Sequence, residues 1–287
     1  MIRVVMLGRL GNNLFQYAFG RALAEKHGVP LVMDASWFNH RTWPYAEPLT
    51  KIPGLDAKVV RPFSLGSRIL KKVTRKHHWE YRGVAIIREN EIDHRFNPNL
   101  LNAPANCAVF GYFQTPLYFE SVAAAIRQEL CMADMGLEIG HEALAENLRH
   151  PASVAIHVRR TDYINNPVLI SLGTSYYEAA MNRIRVHVPG AHFHIFSDDP
   201  AWCVANLKAD DVTVCTHPDP FSPLTDLHLM NLASHHIIAN SSYSWWAAWL
   251  GRKPEQQVIM PDGWFAQGIN APVSEKKLSH WTAISSG

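Results

Sequence analysis

Two adjacent arginines and a histidine stand at the end of an apolar stretch that is typical of a buried strand. Within residues 153–163 the strand pattern ends in His157, Arg159, Arg160 and Asp162. In open α/β sheets ligands bind beyond the carboxyl ends of the strands. Guanidinium groups can hold phosphate oxygens through paired hydrogen bonds, so these arginines could bind a diphosphate leaving group. An ion-paired strand end, with Asp162 as the partner, is an equally good interpretation of this stretch alone.

A second polar cluster, Ser197-Asp-Asp-Pro200, follows a later apolar strand. Adjacent aspartates are typical of metal-dependent nucleotide-sugar sites. However, Asp199 before a proline also has the pattern of a helix N-cap, which we favour. The side chain of Asp198, the other aspartate, could then point toward the ligand. Because the two arginines could hold the diphosphate charge, a magnesium ion is not required.

A third cluster is a serine-rich turn ahead of a predicted helix that contains Trp245, Trp246 and Trp249. Backbone N–H groups at a helix N-terminus bind anions, and hydroxyl groups add further donors. One serine is enough for an ordinary N-cap, so three hydroxyls favour a phosphate-binding turn, in which Tyr243 could stack on a base or sugar. The tryptophans fall at helical spacing and indicate core packing. The turn comprises Asn240, Ser241, Ser242, Tyr243 and Ser244.

Asp226 lies near the start of the preceding predicted helix. A carboxylate there could accept from both N–H groups on one edge of guanine. An aspartate at this position also complements the helix dipole, so both interpretations stay open.

The first loop, Gly8-Arg-Leu-Gly-Asn-Asn13, joins a predicted strand to a helix that should end near Gly28. Its GxxG spacing falls short of the GxGxxG dinucleotide fingerprint. Asn12 and Asn13 could cap the helix. Alternatively, Asn12 and the loop backbone could contact a substrate.

Alternating strands and helices predict an α/β protein made of parallel βαβ units. We expect two Rossmann-like domains facing across a cleft, with the boundary at Pro151, because helices rarely continue past the residue before a proline. The expected domains are residues 1–150 and 151–287. Residues 34–104 are irregular, and a basic segment at 68–82 could be an ordinary solvated face or could contact an anionic membrane surface or acceptor.

Composition excludes several classes of function. The 287 residues are 47% hydrophobic and 18% charged with a net charge of +2, which argues against nucleic-acid binding. Four cysteines without CxxC spacing indicate buried residues of a reducing compartment, and sixteen histidines form no HExxH metal pattern. No apolar run reaches the roughly 18–20 residues of a membrane span. We therefore expect a cytoplasmic protein.

Together these stretches resemble the bacterial α-1,2-fucosyltransferases, glycosyltransferase family 11, within the wider HxRRxD fucosyltransferase superfamily. The HxRRxD pattern alone is moderately specific, and its combination with the glycine–asparagine loop and the NSSxSWW segment is strong. The resemblance extends from the first strand to about Leu250. The matching stretches are residues 8–21, 157–162, 196–202 and 226–246.

The resemblance implies a GT-B fold, GDP-fucose as donor, inversion at the anomeric carbon, and neither metal nor other cofactor. The implied reaction is fucosyl transfer to the 2-hydroxyl of a β-linked galactose in an oligosaccharide acceptor. A lipid-linked acceptor and a peripheral contact at the inner face of the membrane remain open.

The resemblance also implies residue roles. Arg159 would bind the β-phosphate, His157 and Asp226 the guanosine, and Asn12 the acceptor hydroxyl, with Gly11 and Asn13 beside it. The family usually has glutamine where this chain has Asn13, which leaves the choice of acceptor in doubt. No carboxylate is placed as a general base. The remaining donor-side residues are Arg160, Asp198, Asn240, Ser241, Ser242, Tyr243 and Ser244, with Asp162 and Asp199 as structural support, and Arg160 paired with Asp162 to brace the strand end.

Three alternatives compete with this interpretation. One is a fucosyltransferase of another linkage, and another is a GDP-sugar or glycan-binding module without catalysis. The third, a GDP-hexose epimerase, would need a dinucleotide motif and a Tyr-x-x-x-Lys pair, and the sequence has neither.

Overall fold

The computed structural model describes residues 1–36, 38, 41–61, 83–90, 95–132, 140–216, 222–266 and 272–287. The chain divides into two compact units, Met1–Cys131 and Met132–Gly287. The basic 68–82 segment lies outside the described residues.

The first unit contains a parallel five-stranded sheet in the order β3-β2-β1-β5-β4. Its strands are β1 Ile2–Val5, β2 Leu31–Asp34, β3 Lys58–Val60, β4 Ala85–Arg88 and β5 Cys107–Phe110. Its helices are α1 Leu10–His27, α2 Trp43–Ala46 and α3 Ala123–Glu129, with 3₁₀ turns at Glu47–Lys51, Pro98–Asn102, Pro116–Tyr118 and Glu120–Val122. The sequence predicts one helix from Tyr118 to Leu130, but two of these 3₁₀ turns precede α3 there.

Helix α1 connects the first two strands and positions the glycine–asparagine loop. It ends as predicted at Gly28, which has a left-handed φ of 60° and is followed by a bond from Val29 N–H to Ala24 O of 3.0 Å. Close packing against the sheet requires Gly20, because a Cβ there would lie 2.5 Å from Val4 Cγ2. The helix start is thereby held at the carboxyl end of β1.

The second unit contains a parallel six-stranded sheet in the order β11-β10-β9-β6-β7-β8. Its strands are β6 Ser153–Val158, β7 His192–Ser197, β8 Val212–Val214, β9 His235–Ile237, β10 Val258–Pro261 and β11 Thr282–Ile284. Its helices are α4 Glu142–Arg149, α5 Thr174–His187, α6 Pro200–Asn206, α7 Pro223–Leu232 and α8 Ser242–Leu250, with a 3₁₀ turn at Val273–Glu275. The apolar pattern of the sequence predicts 258–260 as the last strand of this sheet, and the structure corrects this prediction by adding β11 at the edge.

Strand β6 lies inside the second sheet, and every one of its residues is buried. Side chains of α5, among them Tyr176 and Ile184, pack with Ile156 in one core cluster. Trp245, Trp246 and Trp249 of α8 are buried, which confirms their predicted packing role. The residues that follow β6 are therefore positioned by a fully buried strand.

The boundary between the units lies before α4, some twenty residues ahead of the position expected from Pro151. Helix α4 packs against β6 and α7 and so groups with the second unit. Within the described ranges, no helix combines the length and the apolar character needed to cross a bilayer.

Candidate active site

Arg159 follows β6 directly and is held between two carboxylates. Its Nη2 lies 2.7 Å from Asp162 Oδ1, and its Nη1 lies 3.1 Å from Asp198 Oδ2. Burial opposes its charge, but the hydrogen bond to Asp162 and the charge of Asp198 raise the pKa of the guanidinium. The pairing of Asp162 with Arg160 was wrong. Asp162 pairs with Arg159, three residues before it in the same turn.

Asp198 organises the whole turn after β6. Its carboxylate accepts from the backbone N–H groups of Arg160 (2.9 Å) and Thr161 (3.2 Å) and from the Thr161 hydroxyl, in addition to Arg159. Burial alone would raise the pKa of the Asp198 carboxyl. The donors and Arg159 together outweigh burial, and the pKa of Asp198 is lowered. The carboxylate is therefore surrounded by donors of the protein itself. Its predicted contact with the donor substrate stays a prediction.

Arg160 is bound on the other side of the turn. Its Nε lies 3.2 Å from Asp199 Oδ2, and its guanidinium carbon lies 3.8 Å from the centre of the Trp202 ring. Asp199 Oδ1 also accepts from Trp202 N–H at 3.2 Å, so Asp199 is the N-cap of α6, as predicted. Arg160 is thus braced by Asp199 and Trp202, in place of the expected Asp162.

His157 is buried near the end of β6, next to the ring of Tyr243, with 5.5 Å between ring centres. Burial and the neighbouring charge of Arg159 lower the pKa of His157 to about 3, against the opposing effect of Asp198. In the described part of the chain its Nδ1 has no hydrogen-bond partner. The imidazole is therefore neutral, and its unpartnered Nδ1 is enclosed by protein atoms.

The serine-rich turn begins helix α8. Ser241 is the N-cap and accepts from Tyr243 N–H at 3.4 Å, while the buried Ser244 donates its hydroxyl to Ser241 O at 3.3 Å. The Tyr243 hydroxyl donates to Pro223 O at 2.6 Å. Ser242 is half-buried. The first-turn N–H groups and Ser242 are therefore better placed for an anion than the inward-facing Ser244.

Asn240 connects the turn to two loops. Its Nδ2 donates to Ile170 O and Trp264 O, both at 2.9 Å, and its backbone oxygen accepts from the Tyr163 hydroxyl at 3.2 Å. The side chain is almost fully buried. Asn240 therefore fixes the local fold, and Tyr163, which no sequence motif singles out, is part of the same arrangement.

Asp226 lies in the first turn of α7 and is half-exposed. Burial raises the pKa of the Tyr243 hydroxyl, and the charge of Asp226 adds to this effect while Arg159 opposes it. Tyr243 is thus close enough to feel both charges, and His157 lies against its ring. These four residues share one region of the second unit.

The first unit carries its own polar cluster after β1. Asn12 Oδ1 accepts from Gln114 Nε2 at 2.8 Å. Gly8 has a φ of +74°, and a Cβ there would lie 2.3 Å from Asn12 Nδ2. Only glycine fits here without displacing Asn12.

Asn13 is turned into the fold and has no exposed surface. Its Nδ2 donates to Leu7 O at 2.9 Å and to Gln16 Oε1 at 3.0 Å. Gly11 is also buried. Helix α1 begins at Leu10 without a side-chain cap, so neither asparagine caps it. This burial disfavours the predicted acceptor contact of Asn13, while the half-buried Asn12 remains a candidate.

The described residues contain no group of three or more histidine, cysteine, aspartate or glutamate side chains arranged to hold a metal ion.

Residues 1–285 match the sequence profile described as Glycosyl transferase family 11, and the chain belongs to that family. It is 25% identical to an α-1,2-colitosyltransferase of Escherichia coli over 91% of either chain. It is 26% identical to the galactoside 2-α-L-fucosyltransferase Sec1 of Mus musculus, over 87% of this chain and 64% of the mouse protein.

The fold also resembles that of the E. coli heptosyltransferase WaaC with ADP. The TM-score is 0.50 at 11% identity, over 99% of this chain and 92% of the other. The expected GT-B type, with two Rossmann-like units, is confirmed.

Proposed function

We propose that the protein transfers L-fucose from GDP-fucose to the 2-hydroxyl of a galactose, with inversion and without a metal ion. Membership of family 11 and the fucosyl- and colitosyltransferase relatives support the reaction class. The observation that carries the proposal is the Arg159 guanidinium, fixed at the end of β6 by Asp162 and Asp198.

Charge is the first requirement of this chemistry. As the bond between fucose and GDP breaks, negative charge grows on the diphosphate. Arg159 is a permanent cation, and the N–H groups at the start of α8 add the positive end of a helix dipole. Donors that are already oriented stabilise such charge by about 3–4 kcal/mol each.

Recognition of the guanosine is assigned to Asp226 and His157. The half-exposed Asp226 carboxylate can accept from two N–H groups of guanine, and the neutral His157 lies against the neighbouring Tyr243 ring. Asn12 in the first unit is assigned to the acceptor hydroxyl. In this proposal the first unit binds the acceptor and the second binds the donor.

Bond breaking that runs ahead of attack reduces the need for a strong base. GDP is a stabilised leaving group, so an acid is not required either. The acceptor hydroxyl loses its proton to water as the new C–O bond forms and GDP leaves, so we assign no residue as general base, and propose that electrostatic stabilisation by Arg159 supplies most of the rate enhancement.

GDP-colitose should be tested beside GDP-fucose as a donor, because one relative is an α-1,2-colitosyltransferase. Purified protein would be incubated with GDP-fucose or GDP-colitose and a panel of β-galactosides, followed by NMR analysis of the product linkage. We expect an α-1,2-linked fucosyl product, formed equally well in EDTA. A preference for GDP-colitose, another linkage, or activity that EDTA removes and magnesium restores would contradict the corresponding part of the proposal.

Location is a separate prediction. We propose a cytoplasmic protein that contacts the inner face of the membrane peripherally, where its acceptor is carried on a lipid. Fractionation of cells that produce the protein would test it, and exclusive recovery in the soluble fraction at low salt would argue against membrane contact.

A further inference from the structure

We propose that Gln114 is a positioning residue for the transfer reaction, which orients the Asn12 carboxamide toward the acceptor hydroxyl. The proposal rests on the proposed function, since it gives Gln114 a role only through Asn12. Gln114 belongs to the loop after β5 and is separated from Asn12 by 102 positions in the chain.

The contact gives the Asn12 carboxamide oxygen a defined donor. Gln114 Nε2 donates to Asn12 Oδ1 at 2.8 Å, and Asn12 Nδ2 lies over Gly8, where a Cβ would approach it to 2.3 Å. An amide oxygen has two lone pairs, so this bond does not exhaust Oδ1. The same oxygen can accept from a sugar hydroxyl and hold it in one orientation.

Gln114 is presented by a strained turn. Gly111 has a φ of 157° and Phe113 a φ of 51°, and Thr115 N–H donates to Phe113 O at 2.8 Å. Phe113 is the one non-glycine residue with positive φ in the described part of the chain. Such a conformation costs about 1–3 kcal/mol, and strain of this kind concentrates at functional sites.

The surrounding structure holds the turn in this conformation. The buried Glu89 carboxylate accepts from the backbone N–H groups of Tyr112 at 2.7 Å and Phe113 at 3.0 Å. The Phe113 ring stacks on Phe19 with 4.0 Å between ring centres. Gln114 is therefore displayed by a rigid support.

A second glutamine already connects the same two loops. Gln16 Oε1 accepts from Leu7 N–H at 3.1 Å, and Gln16 Nε2 donates to Gly111 O at 2.8 Å. Gln16 is fully buried, whereas Gln114 and Asn12 are half-buried. Since the buried glutamine supplies a structural connection, the more exposed pair is the better candidate for a functional one.

Exchange of Gln114 for glutamate tests the direction of the bond. The shape is kept, but an acceptor replaces the donor, so the Asn12 amide has to turn its Nδ2 toward residue 114. The steady-state constants for acceptor and donor would be measured together with GDP affinity by calorimetry. Gln128, an exposed residue of α3, offers a matched control as Gln128→Glu.

We expect Gln114→Glu to lower kcat/KM for the acceptor by about 10–100-fold, with GDP affinity and melting temperature close to those of the wild type and of Gln128→Glu. Gln114→Asn should restore part of the activity if its shorter amide still reaches Asn12. The Asn12→Ala/Gln114→Glu double variant should be no slower than Asn12→Ala, because both changes act through one contact.

Three results would overturn the role. A Gln114→Glu variant with normal acceptor kcat/KM removes it, and so does a loss that follows GDP affinity or melting temperature. Additive losses in the double variant also contradict it. A wild-type protein that binds GDP but transfers no sugar to any galactoside would instead overturn the proposed function, and this role with it.

Discussion

The two strand-end clusters are built from different chemistry. The cluster after β6 is ionic, with Arg159 between Asp162 and Asp198, and Arg160 on Asp199. The cluster after β1 is made of neutral amides, Asn12, Asn13 and Gln16, which bond to one another, to the backbone and to Gln114 of the loop after β5. Both follow parallel strands, yet one provides charge and the other provides orientation.

This difference matches the two substrates of the proposed reaction. A diphosphate carries charge that grows as its bond breaks, and oriented cations stabilise it. A sugar hydroxyl is neutral and needs a fixed direction of attack, which amides supply without a competing charge. Substitutions in each cluster and a change of pH test this difference between the two units.

The largest effect is expected from Arg159→Ala. Removal of the guanidinium takes away a cation aimed at the leaving group, so kcat should fall by about 10²–10³-fold, equivalent to roughly 3–4 kcal/mol. Arg183→Ala, at an exposed position of α5, is the control. Steady-state kinetics and circular dichroism would be compared. A folded Arg159→Ala protein with a nearly normal rate would contradict the ionic role of the second unit.

Asp198→Ala should lower the free energy of unfolding by about 3 kcal/mol. The substitution leaves the backbone N–H groups of Arg160 and Thr161, and one side of the Arg159 guanidinium, without their acceptor. Denaturant unfolding, with the exposed Asp210→Ala as the reference, would measure the loss. Equal stability of the two variants would show that Asp198 does not hold the turn.

Gly8→Ala tests the amide cluster by geometry alone. A methyl group would meet Asn12 Nδ2 at 2.3 Å on a backbone with φ of +74°. A cost of about 2 kcal/mol is expected, together with weaker acceptor binding. Gly190→Ala has a similar φ of +73° with open space around it, so it separates backbone strain from the clash. Identical effects of both changes would count against the clash.

As the pH falls, the second unit should lose folding stability before the first. Burial lowers the pKa of His157 and His236 to about 3 and of His194 to about 4. Because the unfolded chain binds protons more readily, stability is complete above about pH 6.5 and is lost as the pH falls toward these values, at roughly 1 kcal/mol per histidine by pH 6. Amide hydrogen exchange, measured at pH 7.5 and pH 6, would report the loss of protection in each unit. Greater loss of protection in the first unit would be the opposite of this expectation.

Sequence patterns were most informative where local signals decide the structure. β6, α5, the Gly28 helix end and the Asp199 cap all have such signals, and the structure contains each of them. β3 and β4 are short and partly exposed, so they lack a clear apolar pattern. β11 is a three-residue edge strand and was missed for the same reason.

Side-chain pairing was harder to predict. Which arginine meets Asp162 depends on the turn after β6, since residues 159 and 160 point in different directions from adjacent positions. The bond between Gln114 and Asn12 crosses 102 positions and depends on two loops with positive φ. No local pattern encodes such a contact.

The cysteines offer a practical consequence for spectroscopy. Cys107, Cys203 and Cys215 are buried, and burial raises the pKa of each thiol, which makes them slow to react. Cys131 is partly exposed and is the last residue of the first unit. A maleimide dye should therefore label the unmodified chain chiefly at Cys131, where its emission would report on the surroundings of that one residue.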